Sequence, residues 1–155
     1  MSIWGWLKST FWPTPPEMVT VAAPAIEKKR RPAAPEGAQI RITAETVHPG
    51  ACTHVLLDGM LNSTTADEFE IHLNHLINEG RVRLLIDFSG VPYVSSRGWG
   101  VLISLLKSVR KGGGDIKILG LRPNVVQLFW YAGLSNIFKT YSDKVQAAES
   151  FIQEK

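Results

Sequence analysis

Cysteine is nearly absent from this chain: Cys52 stands alone among 155 residues. A single thiol forms no internal disulfide, and it leaves no spacing for a thiolate metal site. Long hydrophobic runs are missing as well, since no stretch approaches the ~18 uninterrupted apolar residues of a membrane-spanning helix. Neither sign of charge dominates, because 17 Lys and Arg face 14 Asp and Glu for a net charge of +3. The secretory pattern of a basic start, a longer apolar stretch and a small-residue cleavage site is not found, and the expected compartment is the cytoplasm. What is present is a chain 45% hydrophobic and 20% charged, the composition of one globular domain with sequence to spare.

The spare sequence is at the N-terminus. Residues 1–37 hold six of the nine prolines, a density that prevents both helix propagation and strand pairing. They also carry +2 of the net charge, so the rest of the chain is close to neutral. Three of the five Trp fall within the first twelve residues, where Ile3, Trp4, Trp6, Leu7, Phe11 and Trp12 form an apolar cluster closed by Pro13. Three readings of this arm stay open. Trp4, Trp6, Phe11 and Trp12 suit a membrane interface, with Lys28, Lys29, Arg30 and Arg31 meeting anionic headgroups. They equally suit a groove on a partner protein, or a terminal strip that folds back or stays loose. The four-residue basic run falls short of a nucleic-acid patch, and no direct nucleic-acid contact is expected. The chain therefore divides into a Trp/Pro-rich basic arm or linker at 1–37 and a folded domain at 38–155.

In the domain, strand and helix patterns alternate. Residues 39–44 alternate polar and apolar side chains, Pro49-Gly50 makes a turn, and residues 53–58 read as a second strand that forms a hairpin with the first. Ser63 or Thr64 is placed to cap a helix with Asp67 and Glu68 in its first turn and Phe69, Leu73, Leu76 and Ile77 on one face, stopped by Gly80. The run Val82-Arg83-Leu84-Leu85-Ile86 suits a central strand buried on both faces, and Asp87 at its end caps the following loop. A second helix begins at Ser95-Ser96-Arg97-Gly98, with Trp99, Val101, Leu102, Leu105, Leu106 and Val109 on one face, and ends at the glycines 112–114. Residues 116–121 read as a strand, Pro123 opens a third helix through Val125, Val126, Leu128 and Phe129 that stops near Gly133, and residues 138–141 form a short strand. Ser142-Asp143 caps a last helix carrying Val145, Ala148, Phe151 and Ile152. Such alternation implies helices covering a mixed sheet.

Catalytic and metal constellations are thin. Glu68, His72, His75 and Glu79 share a helix face at spacings of four, three and four, with no ligand from another element, so a solvated face is expected and no metal. No Ser lies in a nucleophile elbow and no His has an evident orienting carboxylate. The glycines 112–114 precede a strand, whereas phosphate-cradling loops precede helices, so no nucleotide or other cofactor is expected. Trp99 is assigned to the core, and Trp130 is left open between core and interface.

Residues 84–102, Leu-Leu-Ile-Asp-Phe-Ser-Gly-Val-Pro-Tyr-Val-Ser-Ser-Arg-Gly-Trp-Gly-Val-Leu, resemble the diagnostic strand–loop–helix of STAS domains, the bacterial anti-sigma-factor antagonists. Residues 111–121 and Ala132-Gly133-Leu134 match that family's later strand and helix end, and residues 57–62 look like its glycine-led turn into the first helix. The resemblance implies an α/β fold, a STAS-type mixed sheet of about four to five strands covered by about four helices; the composition of residues 1–37 adds a disordered or loosely attached N-terminal arm. It also implies a non-enzymatic regulator that works by partner switching. The antagonist binds an anti-sigma factor that is also a serine kinase; phosphorylation releases it, and a phosphatase restores binding. On the family pattern Ser96 takes the phospho-acceptor position, with Ser95 the alternative; Ser95 and Asn62 stand where carboxylates are usual, and Arg97 replaces a small residue. Asn62, Ser95, Ser96, Arg97, Gly98 and Trp99 are the implied partner-binding residues.

Elementary chemistry fits that site. Ser95 is a good N-cap, which leaves Ser96 in the first turn beside unpaired backbone N–H groups. A phosphate there adds about −1.5 to −2 charges, tolerated locally by the helix dipole and by Arg97 but hostile to an acidic or apolar partner surface. Arg97 has a second possible role, as a constitutive binding contact. Other readings of the whole chain are an accessory subunit of a membrane complex, such as a lipid-transporting ABC system, and a signalling scaffold.

Overall fold

A computed structural model of the chain describes residues 39–47 and 51–154. The N-terminal arm, the boundary after residue 37 and the Pro49-Gly50 turn lie outside the described residues.

The alternating stretch becomes β1 (Arg41–Val47), which pairs antiparallel with β2 (Cys52–Asp58) and sets Ile42 opposite Leu57 and Ala44 opposite Val55. Then follow α1 (Thr65–Asn78), β3 (Arg83–Gly90), α2 (Ser96–Lys111), β4 (Asp115–Leu119), α3 (Pro123–Tyr131), a 3-10 turn at Leu134–Asn136, β5 (Thr140–Tyr141) and α4 (Lys144–Gln153). The sheet runs β1-β2-β3-β4-β5, and every pairing after the hairpin is parallel. Five strands and four helices among the described residues match the expected mixed sheet.

The period-two alternation of a strand explains the layers. From the central β3, Leu84, Ile86 and Phe88 point to one face, where they pack with Phe69 and Leu73 of α1, Trp99 and Leu102 of α2, and Val125 and Phe129 of α3. Leu85 points to the other face, in a smaller cluster with Cys52, Leu119 and the α4 residues Ala147, Ala148 and Phe151. Each large side chain so buried contributes about 1.5–3 kcal/mol, so the three-helix face dominates stability. Burial on both sides is why the β3 run shows no alternation of its own. The helix stops are as read: Gly80 and Gly133 take positive φ of 81° and 70°, and Gly112 is the C-cap of α2.

Two local expectations are corrected. Neither Ser63 nor Thr64 caps α1. The backbone of Thr64 is already helical (φ −78°, ψ −46°), which withholds its side chain from the next N–H groups. Asn62 caps instead, its Oδ1 accepting from the backbone N–H of Thr64 at 2.9 Å and Thr65 at 3.0 Å. On α4, Val145 and Ile152 are exposed, and Ala147 joins Ala148 and Phe151 inside, because the helix presents its small residues to the sheet. Asp143 does cap α4, accepting from the Gln146 N–H at 2.8 Å.

Candidate functional site

The start of α2 is held by a short ladder between two loops. Leu61 N–H donates to the Tyr93 carbonyl at 3.0 Å and Ser95 N–H to the Leu61 carbonyl at 2.8 Å, a parallel bridge that also pairs Leu61 with Val94. This sets the turn that leads into α1 beside the turn that leads into α2, so Asn62 and Ser95 become neighbours although 33 residues apart in sequence. Gly98 makes the approach possible, since a Cβ there would come within 2.8 Å of Leu61 Cγ.

The six residues implied by the resemblance separate by exposure. Ser95 is buried; its backbone is extended (ψ 165°), and its Oγ accepts from the Gly98 N–H at 3.3 Å, as an N-cap should. Gly98 and Trp99 are buried, and Trp99 stacks on Phe88 at a centroid distance of 5.3 Å and meets Phe129 at 5.4 Å, which settles it as core. Asn62 is half-buried and committed to capping α1. Only Ser96 and Arg97 of the six are exposed. The Arg97 guanidinium faces α1, with Nη2 2.6 Å from Asp67 Oδ1 and 3.2 Å from Glu70 Oε2. The sequence placed Asp67 in a first turn for its dipole; it did not reveal that the acidic turn of α1 would meet Arg97. Ser96 shares its side of α2 with the exposed Gly100 and Ile103, which follow it at helical spacings of four and seven, and Tyr93 in the preceding loop is exposed as well. Trp130, left open by the sequence, is 61% exposed.

A second polar constellation lies on the opposite face of the sheet. His54 Nδ1 lies 3.0 Å from Glu45 Oε1 and Nε2 lies 2.9 Å from Asp87 Oδ2; carboxylates only accept, so both contacts are hydrogen bonds together when the ring is protonated. The expectation that no His has an orienting carboxylate is therefore wrong for His54, because the parallel register of β2 and β3 brings Asp87 alongside it. The Asp87 bond leads in holding the ring above the usual imidazole range, burial opposing and Glu45 adding to it. Burial pushes the Asp87 carboxyl up, but bonds from His54 and Ser89 outweigh it and leave it below the usual carboxylate range. With each ring nitrogen set against a carboxylate, neither faces a hydroxyl from which it could take a proton. Asp87 also caps the loop as expected, Oδ1 accepting from the Ser89 N–H at 2.9 Å. On α1, His75 pairs with Glu79 at 3.3 Å, and among the described residues no three His, Cys, Asp or Glu side chains converge as metal ligands would. Among the described residues no helix is long and apolar enough to cross a membrane.

Comparison with known proteins bears on the whole arrangement. Residues 43–148 match the STAS domain family. The chain is 30% identical over 95 residues to BtrV of Bordetella bronchiseptica, named as an anti-sigma factor antagonist, covering 61% of this chain and 82% of that one. It is 31% identical over 86 residues to the anti-sigma-B factor antagonist of Listeria monocytogenes, covering 55% and 75%. Among solved structures, an anti-sigma factor antagonist from Mycobacterium paratuberculosis superposes with a TM-score of 0.66 at 21% identity, covering 76% of this chain and 97% of the other. The unphosphorylated anti-sigma factor antagonist SpoIIAA superposes with a TM-score of 0.57 at 14% identity, covering 74% and all of that chain. Structural likeness at these identities speaks for the fold; together with the match over residues 43–148, it places this chain in the STAS domain family.

Proposed function

We propose that this protein is a non-enzymatic regulator that acts by partner switching. It binds an anti-sigma factor that is also a serine kinase, is released when Ser96 is phosphorylated, and is returned by a phosphatase. The observation that carries the reading is the division of labour at the α2 start: the Ser95 hydroxyl is buried and occupied as a cap, whereas Ser96, one residue on, is exposed in the first helical turn. A kinase needs a free hydroxyl, which favours Ser96 over Ser95 as acceptor. The names of the relatives, anti-sigma factor antagonists from several bacteria, support the class of partner.

The same geometry refines how a phosphate would act. The α1 side of Ser96 already carries Asp67 and Glu70, partly neutralised by Arg97. The other side offers Tyr93, Gly100 and Ile103, a surface suited to an apolar contact. A dianion placed between them defeats binding mainly by the cost of desolvating it against an apolar partner. The test is recovery of the partner from extract of the source cell with wild type, Ser96→Ala and Ser96→Asp. Ala retains a kinase-like protein that Asp releases; equal recovery with all three removes the switch.

A second reading rests on the sequence of the arm. Trp4, Trp6, Phe11 and Trp12 followed by Lys28, Lys29, Arg30 and Arg31 fit an accessory subunit docked at a membrane complex, with 38–155 as the working domain. Removal of residues 1–37 then shifts the protein out of the membrane fraction; unchanged fractionation counts against this role.

A further inference from the structure

The loop that presents Ser96 is fastened from behind by a line of side chains the recognition surface does not use. It starts on α4, where Lys144 pairs with Glu45 of β1. Glu45 and Asp87 of β3 face the two ring nitrogens of His54 on β2 at 3.0 and 2.9 Å. Asp87 in turn holds the Ser89 N–H at 2.9 Å, one residue before β3 ends and the connection to α2 begins. The Ser89 carbonyl takes Arg122 Nε at 2.9 Å and the Pro92 carbonyl takes Asn124 Nδ2 at 2.8 Å, so the loop is tied on both sides. Gly120, at φ +68°, passes so close that an added Cβ would lie 3.2 Å from Asp87 Oδ1 and 3.2 Å from Ser89 Cβ. His54 and Asp87 are 5% and 8% exposed, so solvent does little to soften their interaction.

We infer that His54 and Asp87 are positioning residues for the switch segment, the charge state of the His54 ring setting how firmly Asp87 grips Ser89 and hence how residues 89–96 are held. The inference rests on the reading of Ser96 as the switch. Its physical basis is proton counting. An imidazolium has two N–H donors and meets both carboxylates, whereas a neutral ring has one. Whichever nitrogen keeps the proton, the bond to Asp87 loses its cationic donor or is lost altogether, which weakens the hold on a carboxylate that stays ionised. A carboxylate released in this way re-orients, and its other oxygen is the one on Ser89. The charged groups facing the ring from the elements packed on it are Glu45, Asp87 and Lys144. Glu45 and Asp87 favour the proton, and the Lys144 charge opposes it. The device links conditions sensed on the α4 side of the sheet to the segment read by a partner on the other side.

The test needs neither partner nor phosphate. The full chain, labelled with nitrogen-15, is titrated by NMR from about pH 5 to about pH 9, following the His54 ring and the amides of Ser89 and Ser96. In wild type both amides move with the midpoint of the His54 ring. In His54→Gln, which keeps one N–H for Asp87 but cannot titrate, the step disappears from both. Lys144→Gln, a change at the surface, keeps the ring and raises its midpoint, and the amide midpoints rise by the same amount. A Ser96 amide without a step in wild type, a step that persists in His54→Gln, or amide midpoints that stay put in Lys144→Gln overturns the inference. Failure of the partner-recovery experiment leaves this titration unaffected, so the two readings fall separately.

Discussion

Arg97 and Asp67 tie together the two helix starts of the site, with Nη2 2.6 Å from Oδ1 across the α1–α2 seam. The resemblance put a small residue at position 97, and the sequence alone offered Arg97 as a neighbour for a phosphate. The structure shows that guanidinium already engaged by Asp67 and Glu70. Adjacent helical residues do not face each other, which agrees with Arg97 turning to α1 while Ser96 shares its side with Gly100 and Ile103.

This arrangement predicts a modest contribution to stability and a larger one to recognition. Both side chains are more than half exposed, so the coupling between Arg97 and Asp67 is expected to be about 0.2–1 kcal/mol in a double-mutant cycle by urea unfolding. Arg97→Ala is expected to weaken partner binding by more than this, because it removes a guanidinium pre-oriented beside Ser96. A binding loss no greater than the stability loss would assign Arg97 a purely structural role.

Asn62 gives a second prediction, because its side chain is consumed by the α1 cap. Asn62→Ala leaves the Thr64 and Thr65 N–H groups without their acceptor and is expected to cost about 1 kcal/mol. Asn62→Asp keeps the acceptor and adds a charge favourable to the helix start, so it is expected to unfold at a denaturant concentration no lower than wild type. If both variants match wild type in urea, the cap is not contributing.

These particulars show what the sequence could and could not disclose. Period and apolar content placed β3, the buried face of α2 and the Ser95 cap, because those are set within a few residues of each other. The His54–Asp87 pair was hidden because it depends on the parallel register of strands 33 residues apart, which no local pattern encodes. The Arg97 clamp was hidden for the same reason. Lys117 lies in a stretch read simply as a strand, and no local pattern discloses that its ammonium is buried against Ser150 of α4. Ser96, with Ser95 as the alternative, was named as acceptor from the family motif alone; which of the two hydroxyls is occupied as a cap is visible only in the structure.

The pH dependence of stability follows from the directions of the shifts. The His54 ring is raised, so its contribution is complete below the unfolded imidazole range of about 6.5 and is lost as pH climbs through the higher folded value. The Asp87 carboxyl is lowered, so its contribution is present above the unfolded range of about 3.9 and is lost as pH falls through the lower folded value. Thermal unfolding should therefore show greatest stability at mildly acidic pH, with a decline on the alkaline side that His54→Gln abolishes. A melting temperature that is flat from about pH 6 to about pH 9 in wild type would contradict this.

Lys117 supports the last prediction. Its side chain is 0% exposed, with Nζ 2.6 Å from Ser150 Oγ, 2.8 Å from Glu154 Oε2 and 4.4 Å from the centroid of the Phe151 ring. Glu154 also pairs with Lys139, so one carboxylate at the end of α4 serves two cations. Burying an ammonium is costly, and such pairs are commonly replaced by apolar side chains without loss. Lys117→Met, which keeps the length and the packing against Phe151, is expected to be at least as stable as wild type. Glu154→Ala leaves the buried charge with a hydroxyl and the Phe151 and Tyr141 rings, and is expected to lose about 1–3 kcal/mol, less than for a fully enclosed pair because Glu154 is partly exposed. Restoring stability in the Lys117→Met, Glu154→Ala double variant separates a stranded charge from simple loss of helix length. If the double variant is as unstable as Glu154→Ala alone, the cost belongs to α4 itself and the ion pair has no part in it.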